Sequence, residues 1–249
     1  MSVDGANSSL WVGDLARATA VRITLTWTNI WPTWSPDGRR LAYASGRGDG
    51  HRVFVQAVDG RSEPEQLTSG EHHHSVPTSW SNDGRYIVYD DQVPPATRDV
   101  MAVDLVDQRR TFPIAQTLFD EHSGTFSPDV QYIAYVSNEG GTFEIYVQSF
   151  PERARKTRVS PTGGLRPRWS RNGRELYYLA DGAMMVVPID TSQQLSIGEP
   201  RVLFRRSLPG DYDVTADGRF LILEEQQSPL ETFPLTATVN WLDVLRLTN

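Results

Sequence analysis

The sequence contains no cysteine in 249 residues, which excludes disulfides and thiolate metal sites and is compatible with reducing and oxidising compartments alike. It has no run of eighteen apolar residues, so no direct membrane insertion by a helix is expected. Met1 to Leu10 lacks the basic start and apolar stretch of a leader peptide. Dense basic clusters are also missing: 24 Lys plus Arg stand against 31 Asp plus Glu, a net charge of −7, which disfavours nucleic acid as a partner. No Gly-rich phosphate loop, His-Arg-Asp loop or Asp-Phe-Gly triplet occurs, so phosphoryl transfer by this chain is excluded. There is no nucleophile elbow either, because the nearest string, Gly60-Arg61-Ser62-Glu63-Pro64, lacks the second Gly. His-Glu-x-x-His, the Walker loop and the calcium loop are likewise missing. No catalytic residue and no cofactor are assigned from the sequence.

What is present is a repeat. Trp34-Ser35-Pro36-Asp37-Gly38-Arg39-Arg40-Leu41-Ala42-Tyr43 recurs as Trp80-Ser81-Asn82-Asp83-Gly84-Arg85-Tyr86-Ile87-Val88-Tyr89. Shorter copies start at Phe126-Ser127-Pro128-Asp129, Trp169-Ser170-Arg171-Asn172 and Val214-Thr215-Ala216-Asp217. The turn Asp or Asn recurs at steps of 46, 46, 43 and 45 residues. A period in the forties with four short strands per unit defines a propeller blade. Each motif predicts a hairpin whose Asp-Gly or Asn-Gly accepts the positive φ of a tight turn. In the third copy Val130 replaces the Gly, so that turn is expected to be of another type or strained.

A third apolar run follows each hairpin, at Arg52 to Val58, Asp99 to Leu105, Phe143 to Phe150 and Ala183 to Ile189. More polar fourth strands follow at Glu65 to Thr68, Arg110 to Leu118, Lys156 to Ser160 and Arg201 to Arg205. Leu10 to Leu15 and Val21 to Thr26 read as third and fourth strands with no first two before them. The expected fold is all-β: a single β-propeller of four-stranded antiparallel blades, with a half blade over 8–28 and blades over 29–70, 74–118, 122–160, 164–206 and 210–242. An amphipathic tail occupies 243–249, and Leu235 to Trp241 is a candidate third strand in the last blade. With that place filled, an open or truncated six- to seven-bladed ring is expected rather than closure by both termini. Trp34, Trp80, Phe126 and Trp169 recur at one position and are expected to be buried between blades, with Tyr43, Tyr89, Tyr135 and Tyr178 between the sheets.

The W-S-P-D-G-R-x-[LI]-x-Y hairpins resemble the WD-repeat-like units of TolB-like propellers, over nearly all the chain. Asp14-Leu15-Ala16-Arg17, Phe143-Glu144-Ile145-Tyr146-Val147, Arg171 to Leu176 and Asn240-Trp241 further resemble the C-terminal propeller of bacterial serine/threonine protein kinases. That resemblance implies further repeats and a kinase domain upstream in a longer chain, a protein or peptide partner, and an extracytoplasmic setting. The function it implies is non-enzymatic interaction or ligand sensing in a larger signalling or envelope protein. The alternatives are an accessory propeller of a prolyl oligopeptidase-like hydrolase and a propeller enzyme with a channel-mouth site.

Candidate ligand-binding residues are His72, His73 and His74 in the loop entering one inner strand, Asp120, Glu121 and His122 in the equivalent loop one blade on, and Arg166 and Arg168 on the next inner strand. Together they suit a peptide terminus or small anion; the competing reading is a solvated rim. No metal site is expected from the three histidines. On an extended segment His72 and His74 share a face while His73 looks away, which leaves a zinc ion short of ligands. Arg47-Gly48-Asp49 matches an adhesion tripeptide by chance in a Gly-rich loop.

Overall fold

The repeated Ser-x-Asp is a hydrogen-bonding device that seals each hairpin. Ser35 Oγ donates to Asp37 at 2.5 Å, Asp37 accepts the Arg39 N–H at 3.0 Å, and Ser35 Oγ accepts the Arg40 N–H at 2.9 Å. Ser81 with Asp83, Ser127 with Asp129 and Ser170 with Asn172 repeat the arrangement. Gly38, Gly84 and Gly173 hold φ at 67°, 74° and 71°, where a Cβ is unfavourable. Val130 occupies the same conformation at φ 60°, and its N–H bonds the Ser127 carbonyl at 2.9 Å as Gly38 bonds Ser35. The turn type is therefore unchanged, and the β-branched residue carries local strain.

The structure is a computed structural model that describes residues 2–4, 7–14, 17–46, 50–59, 62–191, 194–205, 211–215, 217–224 and 236–238. Among these there is no helix. Two hairpins come first, β1 (Ser2–Asp4) with β2 (Asn7–Ser9) and β3 (Trp11–Asp14) with β4 (Thr19–Arg22). The first blade comprises β5 (Thr28–Trp34), β6 (Arg40–Gly46), β7 (Arg52–Ala57) and β8 (Glu65–Gln66). The second comprises β9 (Val76–Trp80), β10 (Tyr86–Asp91), β11 (Asp99–Asp104) and β12 (Thr111–Ala115). The third comprises β13 (Glu121–Phe126), β14 (Tyr132–Ser137), β15 (Glu144–Ser149) and β16 (Lys156–Arg158). In the fourth, β17 (Leu165–Trp169) pairs β18 (Glu175–Ala180), which pairs β19 (Ala183–Asp190), and both β20 (Ser196–Ile197) and β21 (Arg201–Arg205) bond to β19. The last sheet is β22 (Tyr212–Val214), β23 (Phe220–Glu224) and β24 (Thr236–Thr238).

All the pairings between these strands are antiparallel; within each of the first three blades they follow chain order outward from the first strand, and in the fourth they do so as far as β19. The β1–β2 hairpin was not legible in the polar N-terminal residues, since its pairing rests on backbone bonds and shows no apolar alternation. The 243–249 tail and the Arg47-Gly48-Asp49 loop lie outside the described residues.

Blades pack through the repeated aromatics. Trp80 is 6% exposed and packs on Ala42, Val53, Val55 and Leu67 of the blade before it. Phe126 and Trp169 are equally buried at the next two seams. Tyr43, Tyr89, Tyr135 and Tyr178 are all buried in the core. Trp34 departs from the expectation, at 49% exposed. The sheets described ahead of it are the two-strand hairpins β1–β2 and β3–β4, whereas Trp80 has the four-strand first blade ahead of it. Bonds between blades complete the seams: Thr78 Oγ1 donates to the Gly124 carbonyl at 2.7 Å, and Tyr212 Oη to that of Arg166 at 2.8 Å.

Candidate functional site

The first strand of each blade lies innermost, and those of the first, third and fourth blades carry a deformation at one repeat position. The register of β5 slips between Ile30 and Thr33, that of β13 between His122 and Thr125, and that of β17 between Leu165 and Arg168. At these bulges Trp31, Ser123 and Arg166 take φ of 51°, 58° and 56°. A bulge re-aims its side chain, and here the residues line one central cavity of about 780 Å³. Each stands six places before the turn Asp or Asn of its hairpin. Pro77 and Asp211 hold that place in the second and last sheets, and they line the same cavity. Pro77 cannot adopt positive φ, and in its blade the irregularity moves so that Thr78 is the extra residue between Pro77 and Ser79.

The cavity wall is rich in ionisable groups. Arg166 and Arg168 both reach Asp211, at 3.7 and 3.4 Å, and Arg168 lies over the Tyr212 ring at 5.9 Å. Arg98, also on the wall, makes two bonds to Asp120, from Nε at 2.8 Å and Nη2 at 2.7 Å. These bonds hold Asp120 below the usual carboxylate range, against its partial burial. Asp90 accepts the Ser123 N–H at 2.8 and 3.0 Å with its two oxygens. Burial nevertheless pushes its carboxyl up to about 7, with the Ser123 bond and then Arg98 opposing. His122 is driven the other way, down to about 4, by burial first and Arg98 second. Near neutrality, then, Asp90 is poised between its two forms while His122 stays uncharged.

Of the residues expected from sequence, the structure brings His74, His122, Arg166 and Arg168 together on the cavity wall. It places the others elsewhere. His73 bonds Asp91 through Nδ1 at 2.8 Å. His72 is exposed at φ 59°, so the segment is not extended there and the expected side-to-side alternation fails. Asp120 is bonded to Arg98 and is not among the residues that line the cavity. Glu121 is fully buried, accepts the Thr117 hydroxyl at 2.5 Å, and has its carboxyl raised by burial, so it belongs to the blade interior rather than the mouth. The reason is strand alternation: Glu121 and His122 are neighbours on β13 and face opposite ways. Sequence reasoning missed His51, Asp90, Arg98 and Asp211. The last was within reach, because counting six residues back from each turn finds it.

No protein-family model matches the chain, and no curated protein matches it. Solved structures do. TolB from Acinetobacter baumannii superposes with a TM-score of 0.70 at 18% identity, over 88% of this chain and 54% of TolB. An oligogalacturonate lyase in complex with manganese gives 0.63 at 15% identity, over 87% of this chain and 64% of the lyase. The periplasmic gluconolactonase of Pseudomonas aeruginosa gives 0.57 at 18%, over 92% and 77%. The chain thus spans about half the length of the TolB it matches. These likenesses define the fold as a TolB-like β-propeller, a scaffold shared by enzymes and by proteins with other roles.

Proposed function

We propose that this propeller is a non-enzymatic interaction or ligand-sensing module of a larger bacterial signalling or envelope protein, and that its central cavity receives a carboxylate of a protein or peptide partner. One observation carries the reading: two guanidiniums, those of Arg166 and Arg168, converge on the same carboxylate, Asp211, whose side chain is 56% exposed. An internal partner held so loosely is replaceable. A ligand carboxylate can take bidentate bonds from either fork while Asp211 swings to solvent. The setting in a chain of net charge −7 makes this basic spot locally selective. The motifs shared with kinase-attached propellers support the signalling context.

Fluorescence anisotropy with acidic peptides tests it. A peptide with a free C-terminal carboxylate is expected to bind at roughly micromolar Kd, weakened at least about tenfold by Arg166→Ala with Arg168→Ala. Equal binding by wild type and the double variant would refute the site.

A second reading draws on Asp90 and His122, two titratable groups pushed apart in one cavity as acid and base catalysts are. On that reading Asp90 is a general base in a propeller enzyme, and the lactonase and lyase neighbours suggest lactones and oligouronides as substrates to try. Turnover with an apparent pKa near 7 that disappears in Asp90→Asn would favour it.

A further inference from the structure

We propose that His51 and His74 form a two-imidazole site for a transition-metal ion such as Zn²⁺, set at the seam of the first two blades with its remaining coordination positions open to the central cavity. The proposal is independent of the carboxylate-binding reading. His51 precedes β7 and His74 precedes β9, and an isolated parallel bridge joins them. His51 N–H donates to the His73 carbonyl at 2.9 Å, and Ser75 N–H to that of His51 at 3.0 Å. His74 N–H donates to the Gln92 carbonyl at 2.8 Å, which ties the segment to its own blade. Arg52 Nη1 donates to the His73 carbonyl at 2.7 Å. Gly50 permits the close approach, since a Cβ there would stand 2.5 Å from the His73 carbonyl oxygen. The backbone carrying both imidazoles is therefore fixed before any ligand arrives.

The two Nδ1 atoms lie 3.3 Å apart, with ring planes inclined by 44°. That lies just beyond the range of about 2.7 to 3.2 Å usual for N–H···O hydrogen bonds. It agrees with the bite of one tetrahedral ion, because two nitrogens at about 2.0 to 2.1 Å and the tetrahedral angle are separated by about 3.3 to 3.4 Å. Both histidines line the cavity. His73 is not a third ligand, since it is engaged by Asp91, and no group of three His, Cys, Asp or Glu gathers at an ion position among the described residues. The protein thus supplies two ligands, and water or a bound carboxylate supplies the rest. Imidazole pairs favour Cu²⁺, Ni²⁺ and Zn²⁺ over Mg²⁺ and Ca²⁺. Arg52 beside the pair opposes a cation, and only two protein ligands are supplied, so the affinity expected is micromolar rather than that of a structural zinc.

Isothermal titration of metal-stripped protein with Zn²⁺, Cu²⁺ and Mg²⁺ decides the matter, with imidazole nitrogen NMR as a second readout. One Zn²⁺ per chain at roughly micromolar Kd, tighter Cu²⁺ and no Mg²⁺ are expected, with the Nδ1 resonances of His51 and His74 shifted. His51→Asn and His74→Asn, checked for folding by circular dichroism, should each weaken binding at least about tenfold, and His72→Ala should leave it unchanged. Absence of binding, equal binding of Mg²⁺, or full binding by the His51→Asn, His74→Asn double variant would overturn the site. Loss of carboxylate-peptide binding alone, with Zn²⁺ binding intact, would count against the other reading only.

Discussion

The two ends of the innermost strands behave oppositely. At one end the repeat writes nearly the same residue each time, Trp34, Trp80, Phe126 and Trp169; at the other, six places before the turn, it writes Trp31, Pro77, Ser123, Arg166 and Asp211. The uniform end meets the neighbouring blade, a surface that is itself repeated, so one shape of side chain serves every seam. The varied end meets the cavity, where each strand faces a different direction across a shared space. Internal repetition marks packing here, and the break in repetition marks the site. Trp34 sharpens the lesson, because the same letter is 49% exposed where the described sheets before it are two-strand hairpins.

The largest test compares two tryptophans of the uniform end. Trp80→Ala should destabilise by about 3 to 5 kcal/mol through lost burial and a cavity at the seam. Trp34→Ala should cost below about 1 kcal/mol. Chemical denaturation measures both, and equal losses would erase the distinction between a completed seam and an open one.

At the cavity end the expected effects depend on pH. Asp90 binds its proton up to about 7 in the folded chain and only to about 3.8 when unfolded. Its contribution to stability is therefore full below about pH 4 and is lost as pH rises through 7. Asp90→Asn abolishes that slope and should stabilise by roughly 2 to 4 kcal/mol at pH 8, with little gain at pH 4. His122 runs the other way, because its folded form resists protonation down to about 4 against 6.5 unfolded. The stability it contributes is present above pH 6.5 and fades toward pH 4, so His122→Gln should gain relative to wild type as pH falls. Denaturant melts from pH 4 to 8 check both slopes, and parallel profiles for wild type and variants would show that neither group is held out of water.

Smaller effects belong to the hairpin turns. Gly84→Val should cost about 1 to 3 kcal/mol, since a β-branched residue is forced to φ 74°. The reverse change, Val130→Gly, should shift stability by less than about 1 kcal/mol, because strain relief at φ 60° offsets the loss of a half-buried side chain packed on the core. A large loss in Val130→Gly would mean that packing of the valine outweighs its backbone strain.

The fold was legible because its signals are local and recur. Ser35, Asp37 and Gly38 form their turn from groups within a few residues of one another, and the same string recurs with a period near 45. Strand alternation and the aromatic positions followed from that period. The candidate site was half legible: His74 just before an inner strand and His122, Arg166 and Arg168 on inner strands belong to the part of each blade that lines the cavity. Glu121 and His73 were misplaced because one residue of register, or one positive φ, sends a side chain to the other side of a strand. His51 meets His74 from 23 residues away across a seam, and Asp90 reaches Ser123 from the second strand of the blade before it. The sequence by itself therefore determined the blade, its turns and most of its core, all set by neighbours along the chain. Only the tertiary structure decided which ionisable groups share the cavity, how burial sets their protonation, and that Trp34 is exposed, since these depend on surfaces brought together from separate blades.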